Sequence, residues 1–184
     1  MKTRKFLALA VLALGFAFTS NAQKSVMVGG AAMYPNKNII ENAVNSKDHT
    51  TLVAAVKAAD LVETLKGAGP FTVFAPTNAA FDKLPKGTVE TLLKPENKKM
   101  LQGILTYHVA AGKWSSADIA KAIKEGKGKA SIKTVAGGTL TVWMKGKDLY
   151  ITDENGNKAK VTIADVNQSN GVIHVIDAVL LPKK

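Results

Sequence analysis

The spacing of apolar positions along the chain changes character near residue 131. Before it, apolar residues recur at helical intervals: Ile39, Ile40, Ala43 and Val44 follow Pro35-Asn36, and Leu52, Val53, Ala55, Val56 and Ala59 follow a polar break over residues 45–51. Asn36 is the expected N-cap of the first helix. LVETL predicts a short third helix ending at Gly67, before Gly69-Pro70 stops it. FTVFAP (71–76) interrupts the helical series: Phe71, Val73 and Ala75 alternate with Thr72 and Phe74, and the two aromatic residues with the closing Pro76 suit a short strand buried on most sides. Thr77 then caps a helix over NAAFDKL, and helices follow over 86–93 and 95–105. Ser115 and Ser116 open another, with Asp118 near its positive end, and EGKGKA (125–130) reads as a solvated loop.

From Ser131 onward the period is two. SIKTV, GTLTVWMKG, DLYITDENG and KAKVTIADV are punctuated by Gly137-Gly138, Gly146 and Asn155-Gly156, and NGVIHVIDAVLL closes the chain as a further strand. Helices first and antiparallel strands second predict an α+β fold, with a helical N-terminal half packed on a wedge of short strands.

The first residues alter the domain count. Lys2, Arg4 and Lys5 precede an apolar run over 6–18, and Ser20-Asn21-Ala22 supplies the small residues of a cleavage site. This pattern predicts a secretory signal peptide over 1–22, cut after Ala22, and an exported protein, periplasmic or secreted. No later segment approaches the roughly 20 apolar residues of a membrane span, so no transmembrane segment is expected. The absence of cysteine excludes disulfides and a lipidated cysteine. A lead over 23–35 and one domain over 36–184 remain, expected to be monomeric.

The formal charge is +11, of which the three basic residues of the leader account for +3, leaving +8. Arg4 is the only arginine, so every basic residue beyond the leader is lysine. Without the bidentate guanidinium fork, sequence-specific nucleic-acid binding is not expected. Ten lysines against five acids lie between Lys113 and Lys160, a solvated face or a weak attractor of acidic polysaccharide.

Catalytic chemistry is thinly represented. The histidines at 49, 108 and 174 share no ligand spacing, and no G-x-S-x-G, P-loop, dinucleotide or H-E-x-x-H motif occurs. No metal, no cofactor and no enzymatic activity are expected; a hydrolase using His108 or His174 with Asp177 is the weak alternative. His174, between Val172 and Ile176 on one strand face, reads as a hydrogen-bonded core residue. Asp177 ends that strand and, if buried, needs partners, for which the Thr77 hydroxyl or the amides at the start of its helix are the expected choice. Asp153, in the DENG turn, is expected to be exposed and to matter far less. In LTYHV (105–109) the tyrosine ring is expected in the core with its hydroxyl seeking a partner.

Three segments together resemble one family. FTVFAPTNAAFDKLP (71–85) is similar to the first signature of the fasciclin domain, ILTYHVAAG (104–112) to its tyrosine-histidine segment, and NGVIHVIDAVLLP (170–182) to its second signature. The resemblance implies a single fasciclin domain in a secreted bacterial protein, with cell-adhesion or matrix contacts as its role and the two signatures side by side. Thr77, His174 and Asp177 fall in those signatures as structural positions. It also implies an adhesion contact at Tyr107, His108, Asp165 and Val166, valine standing where animal members carry isoleucine. The expected partner is a cell-surface or matrix protein or an acidic polysaccharide. A second role implied by some photosynthetic members is carriage of an apolar ligand such as a carotenoid, in a groove that Trp114, Trp143, Met144 and Tyr150 would line.

Overall fold

A computed structural model describes residues 24–183; the leader expected at 1–22 lies outside the described residues. Seven α-helices occur among them: α1 (Ile39–Ala43), α2 (Thr50–Ala58), α3 (Val62–Lys66), α4 (Asn78–Asp82), α5 (Thr88–Leu92), α6 (Lys98–Tyr107) and α7 (Ser116–Glu125). The strands are β1 (Val26–Val28), β2 (Ala31–Met33), β3 (Phe71–Pro76), β4 (Val109–Ala111), β5 (Lys129–Lys133), β6 (Thr139–Lys145), β7 (Asp148–Thr152), β8 (Lys158–Gln168) and β9 (Gly171–Ile176). The architecture is α+β, as the two periods predict. Strand β5 begins two residues earlier than the period change indicates, inside the lysine-rich stretch expected to be loop. Among the described residues no helix is long and apolar enough to cross a membrane.

Seven strands form one sheet in the order β4-β3-β9-β8-β7-β6-β5. All neighbours are antiparallel except β3 and β9, which run parallel from Phe71 opposite Gly171 to Pro76 opposite Ile176. The sheet curls until its edges nearly meet: Ala110 bridges Thr134, and the Val135 N–H donates to the Val109 carbonyl at 2.7 Å. Each face of the β3–β9 pair therefore supplies a separate core. Val73, Ala75, Ile173 and Val175 pack with the helical side, against Leu52, Val56, Leu101 and Leu105. Phe74 and Ile176 enter the wedge with Tyr107, Ile119, Leu140, Val142, Ile151 and Leu180. Burial on both faces is why these two segments read as continuous apolar runs while β6 and β7 alternate.

Two local features differ from the sequence reading. The lead over 23–35 carries the β1–β2 hairpin, whose Val28 and Met33 are buried in the helical-side core. Three-residue strands are too short to show a period, and only the Gly29-Gly30 turn marks them. The cap of α1 is Asn38 and not Asn36: the Asn38 side chain accepts from the Glu41 N–H and the Glu41 carboxylate accepts from the Asn38 N–H, both at 2.9 Å. The reciprocal box, with its acid three residues on, outcompetes an asparagine that has none. Thr77 and Ser115 cap α4 and α7 as expected.

Candidate functional site

Tyr107 is the last residue of α6 and His108 its C-cap, so both side chains are carried into the wedge as the chain turns from helix to β4. Tyr107 is fully buried; its hydroxyl donates to the Thr139 carbonyl and accepts from the Glu154 N–H, each at 3.1 Å. The hydroxyl thus ties the end of α6 to the start of β6 and to the β7–β8 turn. His108 Nδ1 donates to the Ile104 carbonyl at 2.8 Å, and its Nε2 accepts from the Leu180 N–H at 3.0 Å. A carbonyl only accepts and an amide only donates, so these partners fix the neutral Nδ1–H tautomer.

His174 has the complementary arrangement. Its Nε2 donates to the Trp114 carbonyl at 2.7 Å, its Nδ1 accepts from the Asp165 N–H at 3.3 Å, and its ring stacks on Phe74. Asp165 sits at an irregularity of β8, where the register against β9 shifts between Ile163 and Val166 and the Asp165 backbone adopts φ 57°. The bulge turns its carboxylate toward the N-terminus of α7, where it accepts from the Ser116 N–H at 2.7 Å and from the Ser116 hydroxyl. Val166, next in the chain, is fully buried.

The four residues expected to form an adhesion contact are therefore buried or engaged within the fold. Tyr107, His108 and Val166 present no side chain to solvent, and the half-buried Asp165 is engaged by α7. A partner meeting the native surface meets the residues that cover them. The hydrolase alternative finds no geometry: both nitrogens of His108 and of His174 are occupied by backbone groups, and Ser115 bonds Asp118 while Ser116 bonds Asp165. Among the described residues no group of three or more His, Cys, Asp or Glu is placed to hold a metal.

Two carboxylates exchange the roles expected of them. Asp177 does not reach the Thr77 hydroxyl, which is occupied in capping Ala80; its Oδ1 accepts from the Lys160 N–H at 2.7 Å, and an exposed Lys83 ammonium stands 3.6 Å away. The two signature segments are joined here by backbone instead, Thr77 N–H to Ile176 carbonyl at 3.3 Å. Asp153, expected at the surface, is 5% exposed. Its Oδ1 accepts from the Asn155 and Asn157 N–H groups at 2.9 and 2.8 Å, and its Oδ2 from Asn157 Nδ2 and the Leu181 N–H, both at 2.9 Å. The carboxylate organises the β7–β8 turn and clips the C-terminal segment over it.

The groove expected for an apolar ligand does not assemble either. Trp143 and Tyr150 stack on one another on the outward face of β6 and β7, with centroids 4.8 Å apart, whereas Met144 points to the other face of β6 and Trp114 packs beside the wedge core. A wholly apolar cavity lies between α1, α2, α3 and β3, lined by Ile39, Val56 and Val73 among others, and holds about 40 Å³. That volume is far below the several hundred Å³ of small-molecule sites.

The buried imidazoles give the fold an acid sensitivity. Burial pushes His108 down to about 4 from an ordinary 6.5, against the opposing pull of the Ile104 carbonyl. Burial likewise lowers His174 and His49. The unfolded chain therefore takes up protons that the fold refuses: stability is complete above about pH 6.5 and declines as pH falls below it, His108 alone accounting for about 3 kcal/mol by pH 4. Urea midpoints measured at pH 7, 5.5 and 4.5 are expected to fall steadily; a constant midpoint over that range excludes neutral, buried imidazoles.

The fasciclin domain profile matches residues 47–182 of the chain. Protein sll1483 of Synechocystis is 48% identical over 182 residues, covering 96% of this chain and 94% of its own. Immunogenic protein MPB70 of Mycobacterium bovis is 34% identical over 197 residues, covering 96% and 93%. Cell surface glycolipoprotein MPB83 of the same species is 36% identical over 166 residues, covering 88% of this chain and 68% of its own. The structure of a FAS1 domain pair from the insect cell adhesion molecule Fasciclin I superposes with a TM-score of 0.71 at 20% identity, over 85% of this chain and 57% of that one. The chain belongs to the fasciclin domain family.

Proposed function

We propose that the protein is an exported, non-enzymatic surface-interaction module that mediates bacterial adhesion to a cell-surface or matrix component. The observation that carries this reading is the distribution of polar chemistry. The imidazoles of His108 and His174 and the carboxylates of Asp153 and Asp165 are consumed in holding backbone, and lysines and hydroxyls are left on the outside. Such a domain is built to present a stiff surface, not to move protons. Kinship with a cell surface glycolipoprotein supports the same reading. Tyr107, His108, Asp165 and Val166 enter it as the support beneath the contact surface, so changes there act on adhesion through the fold.

The test uses the protein produced with its own leader and purified in mature form, with an N-terminus expected at Gln23. Labelled protein should bind bacterial cells or isolated envelopes saturably, and unlabelled protein should displace it. An unrelated lysine-rich protein of equal charge should not. Complete displacement by the unrelated protein overturns the reading.

A further inference from the structure

The outward face of the sheet carries an ordered pattern that the adhesion reading leaves unused. Strand register places Lys129, Trp143, Tyr150 and Lys160 in one row across β5, β6, β7 and β8, and Ser131, Thr141, Thr152 and Lys158 in the next. Trp143 is gripped within this face. One side of its ring stacks on Tyr150, the Lys158 ammonium lies 5.6 Å from its centroid, and its indole N–H donates to the Thr152 hydroxyl at 2.9 Å. Because that hydroxyl accepts from the indole, its own proton remains to be donated outward. Lys129, Thr141, Trp143, Thr152 and Lys158 enclose a shallow depression of about 390 Å³. Among the described residues neither Lys129 nor Lys158 has a carboxylate partner; on this face Asp148 is taken by Lys160 at 2.8 Å.

We infer that this depression binds an acidic polysaccharide, a polyuronate chain laid across the strands with a carboxylate between Lys129 and Lys158 and ring hydroxyls on Thr141 and Thr152. The inference rests on the adhesion reading and names its ligand class. Charge complementarity carries it: two ammonium groups without carboxylate partners and two hydroxyls line one concavity that no acid lines. Within a row, neighbouring side chains stand about 4.8 Å apart from strand to strand, so a chain laid across the strands meets one side chain per strand. Nucleic acid suits the face less well. Single strands are held by stacking bases on free aromatic faces, and here the ring of Trp143 is already covered by Tyr150 and Lys158. A lipid surface is flat and matches a concave site poorly.

The experiment titrates the mature protein with alginate, neutral dextran, single-stranded DNA and anionic vesicles, following tryptophan fluorescence and direct binding. Alginate should bind and change the Trp143 signal, the change vanishing in Trp143→Phe, in which Trp114 still reports folding. A Lys129→Gln, Lys158→Gln double variant should bind alginate about tenfold more weakly, the effect of about 1.4 kcal/mol. Lys121→Gln, Lys124→Gln removes the same charge from α7, which packs on the inner side of the sheet, and should leave binding nearly unchanged. Equal losses in the two double variants, or tighter binding of DNA or vesicles than of alginate, overturn the assignment. Saturable envelope binding by a protein indifferent to alginate overturns it too, while leaving the adhesion reading standing.

Discussion

Replacing Asp153 with alanine is expected to remove about 3 kcal/mol or more of stability, and replacing Asp177 only about 1 kcal/mol. The difference follows from what each carboxylate leaves behind. Without Asp153, three backbone N–H groups and the Asn157 amide lose their acceptor at a site that is nearly closed to water. Each such group left unpaired costs about 1–3 kcal/mol, less whatever relaxation admits water. The turn also stops clipping the C-terminal segment, although Asn155 still donates to the Leu181 carbonyl at 2.8 Å. Asp177, by contrast, is 41% exposed at its side chain, so water replaces most of what Lys160 and Lys83 offer it. With a slope of about 1–3 kcal/mol per molar urea, the Asp153→Ala midpoint should fall by roughly 1 M or more. Equal shifts for the two variants exclude the clip.

Gly171→Ala is expected to abolish the fold, or to cost more than about 4 kcal/mol if any folded protein survives. A Cβ at this position would lie 2.0 Å from the Phe71 carbonyl oxygen and 2.9 Å from its carbon. Both obstacles are backbone, so no rotamer change relieves them; β3 and β9 must part where their parallel pairing begins. Gly146→Ala separates this close approach from the ordinary cost of replacing a glycine. Gly146 has φ 63°, and a Cβ there would meet nothing within 4 Å. Its replacement should therefore cost about 1–2 kcal/mol, the left-handed penalty alone. Similar urea midpoints for the two variants rule out the clash.

What is legible in the sequence follows from periodicity and local capping. The alternation in β6 and β7 and the caps at Thr77 and Ser115 are properties of neighbouring residues, so they are visible in one dimension. His174 reads as a core residue because its flanks are apolar. Asp153 does not. DENG has the composition of an exposed turn, and nothing in it shows that a segment 28 residues later brings the Leu181 N–H to the carboxylate. Asp165 is hidden for the same kind of reason, since a bulge set by pairing with β9 aims it at α7. Residue type alone groups Trp143 and Tyr150 with Trp114 and Met144. The hairpin register that pairs the first two depends on counting across the Gly146 turn.

The parallel pairing of β3 with β9 also sets when the protein can fold. Strand β3 lies inside the sheet, yet one of its two neighbours comes from residues 171–176, about a hundred positions later. Contacts so distant in sequence require closure of a long loop before they return any stabilisation, and they slow folding accordingly. During synthesis from the N-terminus both cores stay open until β9 has emerged. A chain of this topology completes its sheet in one late event, once β9 is available to pair with β3. The same delay leaves FTVFAP as an uncovered apolar edge in any product that ends before residue 171, so truncated chains should aggregate and not persist as partly working domains.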